Sequence, residues 1–280
     1  MNVAGTSQPR PVRRAAQAPQ AAFVLHGYDW SESSLILDLF TRESGRIAVA
    51  AKGAKKPYSQ MRAVLMPFQR IAVQLGKSRG DDSAEVHNLR SAEWAGQGVS
   101  LEGAAWFAGF YINELLMKLL ARDDAHPRLF EAYSLSLRCL SGATPNGIEA
   151  VLRGFELMLL RETGVLPQLD RVTSTQAALA NGHAYALRPE QGLVETADAE
   201  STLRADSCVA LERALGVVQQ SPSADALHQL HAASADALAG LKVQLRQQLH
   251  YHLGGATLRT RQVMIDSFRL LGLDASASSR

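Results

Sequence analysis

From Ala22 to Glu93 the chain alternates short apolar runs with turn-forming residues. The runs AFVLHGY, SLILDLFT, RIAVAAKG, MPFQRIAVQL and AEVHNLRSAEW are rich in Val, Ile, Leu and Phe, side chains that suit a pleated surface. Asp29 to Ser33, Glu43-Ser44-Gly45 and Gly80-Asp81-Asp82-Ser83 punctuate them. Short strands at such close spacing predict a small barrel or sandwich. Five of them match the OB-fold, a partly open Greek-key barrel. A small barrel of SH3 type would leave the same pattern.

After Leu101 the period lengthens. Trp106, Phe110, Leu115, Met117 and Leu120 recur at helical spacing, and the pattern breaks near His126-Pro127 before a second helix. A third helix starts at Asn146, read as its N-cap, with Glu149 completing a variant capping box. Its apolar stripe is Ile148, Val151, Leu152, Phe155, Met158 and Leu159, and Gly164 ends it. Residues 165–205 are irregular except for HAYALRPEQGLVET, a hairpin turning at Glu190-Gln191-Gly192. Helical pattern returns over Ser207–Gln219 and Ala224–Leu253, where Gly254-Gly255 stops it, and again over Leu258–Leu271. The predicted class is α+β: an N-terminal OB-fold β-barrel at 21–95, then a mainly α-helical C-terminal domain at 96–273. Residues 1–20 read as a disordered basic tail and 274–280 as a frayed end.

Composition adds limits. Among 280 residues, 46% are hydrophobic and 20% charged, as in ordinary soluble proteins, and the formal net charge is only +2. Overall charge therefore announces no polyanion partner, and local charge has to be read instead. The N-terminal stretch lacks the apolar core of a signal peptide, and no run suits a membrane helix. Cys139 and Cys208 sit in no pair motif, which fits a reducing cytoplasm.

Local charge is uneven. Arg42, Arg46, Lys52, Lys55, Lys56 and Arg62 share a short stretch with one acid, Glu43. Such cations on an open barrel face neutralise phosphates and release counterions. Tyr58 and Phe40 are candidate stacking surfaces, although Phe40 sits in an apolar strand and reads better as core. A second set, Arg122, Arg128, Arg153, Arg161, Lys242, Arg246, Arg259 and Arg261, lies in or beside predicted helices. Arg122, Arg153 and Arg246 are its candidates for holding an acidic peptide. Taken singly, each is more simply a solvated surface charge.

The chain resembles the RecO family over Phe23 to Leu271. ILDLFTRESGRIAVAAKGAKKPYS carries the likeness best: Leu39-Phe40-Thr41, a turn at Gly45, a strand from Ile47 to Ala51, then Lys52-Gly53-Ala54-Lys55-Lys56. The strand Leu65 to Phe68, and further on YINELLMKLL, LRGFELMLLRETGVLPQLD and YHLGGATLRTRQVM, follow in the family's order. The resemblance implies a recombination mediator without catalytic activity. It implies single-stranded DNA and the acidic C-terminal tail of SSB as ligands, RecR and often RecF as partners, strand annealing, and help in loading RecA. Many members carry four cysteines after the position of Pro167-Gln168-Leu169-Asp170. Here that stretch is RVTSTQAALANGHAYAL, without cysteine. His183 alone cannot hold a structural zinc, so no metal and no cofactor is expected.

Other chemistry is weakly supported. His228 and His231 share a helical face without a third ligand, and His250 and His252 do not share one. No phosphate loop or nucleophile elbow occurs. Asp81-Asp82 and Asp123-Asp124 sit in turns with no further acid beside them, a poor basis for a two-metal nuclease. The expected protein is a cytoplasmic, nucleoid-associated DNA-repair mediator. The alternative is a general OB-fold protein for single-stranded DNA or RNA.

Overall fold

The computed structural model describes residues 18–76, 85–96, 98–197, 202–260 and 262–263. The tail up to residue 17, the turn at 80–83, most of the helix expected over Leu258–Leu271 and the end at 274–280 lie outside the described residues.

Five strands form the N-terminal part: β1 (Gln20–Asp29), β2 (Leu35–Thr41), β3 (Gly45–Ala51), β4 (Ile71–Leu75) and β5 (Val86–Trp94). They close in the order β1-β2-β3-β5-β4, with β4 returning to β1, so the OB-like barrel is closed rather than partly open. Among the described strands of the barrel, β3 and β5 pair in parallel and the other pairs are antiparallel. Val24, Leu37, Leu39, Ile47, Val49, Ile71 and Val73 fill the interior. The alternate residues Phe23 and Phe40 point the other way, into the core of the helical part. Strands β2 and β3 are buried on both faces over most of their length, which is why they read as apolar runs rather than as alternation.

The strand expected over MPFQRIAVQL begins only at Ile71. Pro67 has no amide to give a ladder, and it makes a single bridge to Val24. Phe68 then turns the chain at φ 64 and buries its ring beside Phe110, 4.8 Å between centroids. A short helix not foreseen, α1 (Gln60–Val64), lies between β3 and β4.

Seven helices in all are assigned among the described residues; the other six are α2 (Gly103–Leu119), α3 (Pro127–Leu140), α4 (Pro145–Glu162), α5 (Ala205–Gln220), α6 (Ala224–Asp236) and α7 (Leu238–His252). The expected single run over Ala224–Leu253 is two helices, broken at Ala237. Helix α4 is central and touches α2, α3, α6 and α7. Its N-cap is Thr144, not Asn146: Thr144 Oγ1 accepts from the Gly147 amide at 3.2 Å, and Pro145 takes the first helical position. Proline is favoured there because that amide lacks a partner in any case. Glu149 completes no capping box; it accepts from Lys242 at 2.8 Å.

The hairpin β6 (Ala184–Arg188) and β7 (Gly192–Thr196) forms where expected, and β8 (Leu203–Arg204) joins β6. Packing holds it. Tyr185, Leu187 and Leu193 are buried, and two buried α7 glutamines embrace the Leu187 backbone, Gln244 accepting from its amide and Gln248 donating to its carbonyl. A second pin is Arg161, which forks onto Glu212 at 2.7 and 2.8 Å while Glu212 accepts from the Leu169 amide.

Barrel and helices share one core. Phe23 stacks edge-on to Tyr133 at 4.9 Å, and Phe40 lies 5.5 Å from Phe130. Buried Asn113 donates to the Leu25 carbonyl at 3.0 Å and accepts from Tyr133 at 2.7 Å. The two parts are thus distinct in architecture but not in packing. A fragment starting near residue 96 would expose Phe130 and Tyr133, which are now fully buried.

Candidate functional site

Five of the six basic residues of the barrel fall into two places. Arg42 and Arg46 flank the β2–β3 turn, whereas Lys52, Lys55 and Lys56 follow the far end of β3. Seven strand residues separate these ends, about 20 Å. Contiguity in sequence hides this division.

At the turn, both arginines serve the junction. Arg42 Nε pairs with Glu131 on α3 at 3.0 Å, and Glu131 also meets Arg70 at 3.6 Å. Arg46 donates to the Met117 carbonyl. Burial lowers its pKa from the usual arginine value, with Asp38 pulling it back up. Arg46 also forms a backbone bridge to Arg122, and Arg122 pairs with buried Asp38 at 3.6 Å. The Tyr28 pKa is raised by burial first and then by the nearby Asp38 carboxylate. Residues assigned to different ligands on sequence grounds, Arg46 and Arg122, thus meet at one seam between barrel and helices.

The opposite end is open. The β1–β2 loop and the loop after β3 flank a shallow groove of about 510 Å³, lined by Trp30, Ser31, Ser33, Ser34, Lys52, Gly53 and Lys56. Gly53 turns at φ 76, and buried Ala54 anchors the loop. Lys52 and Lys56 are exposed and make no ion pair among the described residues. Arg62 is exposed on α1. Tyr58 is 97% exposed and Trp30 57%, so two aromatic faces accompany the two cations. Phe40, by contrast, is fully buried. Sequence reading passes over Trp30 because it lies in a polar turn; an aromatic in such a turn is itself the signal, since its burial there would be hard to arrange.

The helical arginines have different surroundings. Arg153 lies against α4 itself, 2.7 Å from Glu156, a carboxylate with no exposure at all. Arg161 is committed to Glu212, and Lys242 to Glu149. Arg246 is exposed on α7, and Arg261 lies outside the described residues. Of the three candidates for an acidic peptide, Arg122 and Arg153 are thus held in ion pairs, with Asp38 and Glu156, and Arg246 is exposed.

Among the described residues, no group of three or more His, Cys, Asp and Glu side chains is placed to hold a metal ion. His231 packs against Gly154, and burial first, then His228, lowers its pKa to about 4. Cys208 is fully buried and burial raises its thiol to about 12, while Cys139 is half-buried. No described helix is long and apolar enough to cross a membrane.

A family model for the N-terminal part of recombination protein O matches residues 16–96, and one for its C-terminal part matches residues 101–262. The chain belongs to the RecO family. Relatives named DNA repair protein RecO agree along almost the whole length. That of Paracidovorax citrulli is 50% identical over 91% of this chain and 97% of its own length. Those of Delftia acidovorans and Polaromonas naphthalenivorans are 48% and 47% identical, over 91% and 88% of this chain. The barrel with its two open loops is thus the N-terminal part of a RecO family DNA-repair protein, and the helices and hairpin are its C-terminal part.

Proposed function

We propose that this RecO family member acts as a recombination mediator, not an enzyme, and holds single-stranded DNA at the open end of its barrel. One observation carries the reading: exposed Trp30 lines a groove with the unpaired Lys52 and Lys56, and exposed Tyr58 follows Lys56 by two residues. Stacked bases and neutralised phosphates need that combination, and it is indifferent to base sequence. With RecR, and RecF where it takes part, the bound strand is annealed to its complement or passed to RecA. Cations between two strands lower their repulsion and favour pairing.

Replacing Lys52 and Lys56 together by Ala should weaken binding to a labelled oligo-dT strand. It should also flatten the slope of log K against log salt by roughly 1.4, for two lost phosphate contacts. Trp30→Ala should cost about 1–3 kcal/mol with the slope unchanged, as expected for stacking. Unaltered affinity and slope in a folded double variant would remove these loops from the site.

The second ligand in this reading is the acidic tail of SSB. Of the three arginines considered for it, Arg246 is free to meet solvent, Arg153 is inward and Arg122 serves the barrel seam. Titrating a fluorescent acidic tail peptide onto the full chain should give salt-sensitive binding, reduced a few-fold by Arg246→Ala, in the range of one partly exposed charge-assisted contact of about 1 kcal/mol. Binding unchanged by Arg246→Ala would move the peptide elsewhere.

A further inference from the structure

The three lysines after β3 are not equivalent. Lys55 Nζ lies 3.1 Å from Asp29 Oδ1 and donates to the Ser31 carbonyl at 3.1 Å. Its amide donates to the Ser33 carbonyl at 3.0 Å. Lys55 therefore ties the loop carrying Trp30 to the loop carrying Lys52 and Lys56. Two of its three ties are to backbone carbonyls, which no phosphate can replace. The third is a carboxylate at the end of β1, next to Trp30, with a side chain 78% exposed.

We propose that Asp29 is a built-in competitor of the DNA backbone for Lys55. The proposal rests on the reading that single-stranded DNA occupies the Trp30–Tyr58 end of the barrel. An ammonium is a compact point charge with three donors, so it can exchange one anion for another with little movement. The Ser31 and Ser33 carbonyls keep Lys55 in place during the exchange. An exposed ion pair is weak, so a phosphate displaces the carboxylate readily but gains less than it would from a free lysine. Asp29 in this way lowers the grip of the groove without disturbing its shape, which suits a protein that must give up its strand.

Oligo-dT binding across a salt series tests this with five chains: wild type, Asp29→Asn, Lys55→Ala, Asp29→Asn with Lys55→Ala, and the Lys52 and Lys56 double Ala variant. Asn is nearly the size of Asp and keeps the loop closed. Asp29→Asn should tighten binding roughly two- to five-fold at low salt, the scale of one exposed pair. Its salt slope should steepen by up to about 0.7, the value of one phosphate contact that Asp29 lets Lys55 make only in part. Both gains should vanish when Lys55 is Ala. An equal gain in both backgrounds would mean that Asp29 acts only as a general negative charge, and no gain in either would mean no competition; each overturns the proposal. The Lys52 and Lys56 double variant separates the two levels. If it leaves binding unchanged, the site itself is misplaced. If it weakens binding while Asp29→Asn does nothing, the site stands and the competition falls.

Discussion

Arg153→Ala should destabilise the fold by about 3–5 kcal/mol, the usual cost of leaving a buried ion without its partner. Glu156 has no exposed surface. Arg153 meets it at 2.7 Å and the Tyr111 hydroxyl donates to the same oxygen at 2.6 Å. Burial holds the Glu156 carboxyl above its ordinary range, and Arg153 and then Tyr111 pull it back. Without Arg153 the carboxyl moves further up and folds best in its protonated form. A raised folded pKa favours folding fully below the unfolded value, and that advantage is lost as pH rises through the folded value. The deficit of Arg153→Ala, measured by urea denaturation, should therefore be smaller at pH 5 than at pH 8. Adding Glu156→Leu should recover part of it, because it removes the buried charge left without its partner. A loss below 1 kcal/mol, or one independent of pH, would contradict the buried pair. Peptide affinity lost in Arg153→Ala would accordingly report on the fold and not on a contact.

Gly45→Ala should cost about 3 kcal/mol or more through backbone collision at the seam between barrel and helices. Gly45 has φ 67, and a Cβ there would lie 1.7 Å from the Asp124 carbonyl oxygen. The Asp123 amide donates to the Arg46 carbonyl at 3.0 Å, so the two loops are already bonded and cannot simply part. For a chain of this size the loss corresponds to a fall of roughly 5 °C or more in Tm. Gly182→Ala is the control. Its φ is 83 but nothing lies within 4 Å of an added Cβ, so it carries the left-handed strain alone. Thermal unfolding of both variants decides the matter: equal losses would mean that the Asp124 contact gives way. Because Phe23 and Phe40 lie in the helical core, Gly45→Ala should lower the unfolding of the whole chain as one transition, not of the barrel alone.

The candidate site was half legible. Lys52, Lys56 and Tyr58 stand out as cations and an aromatic in a glycine-bearing loop, and the structure leaves all three exposed. Lys55 carries the same charge in the same loop, yet its partner is Asp29, on another strand. Trp30 joins the site only because the β1–β2 and β3–α1 loops emerge at one end of the barrel. Arg42 and Arg46 leave it for the same topological reason, since β3 carries the chain away from them.

Local signals determined much by themselves. The strand runs, the hairpin turn at Glu190-Gln191-Gly192, the helix stop at Gly164 and the break before Pro127 each depend on residues within one turn or one strand. Backbone conformation there is set by φ preference, by missing amides and by periodic burial, all of short range. Motif order along the chain likewise carried the family. Which charges stay free was decided only by the tertiary structure. Arg153 sits on a helix buried all round from Gly154 to Leu160, and the anion it pairs with among the described residues is Glu156. Charge pairing is fixed by distance in space and by local dielectric, and neither is a property of sequence spacing.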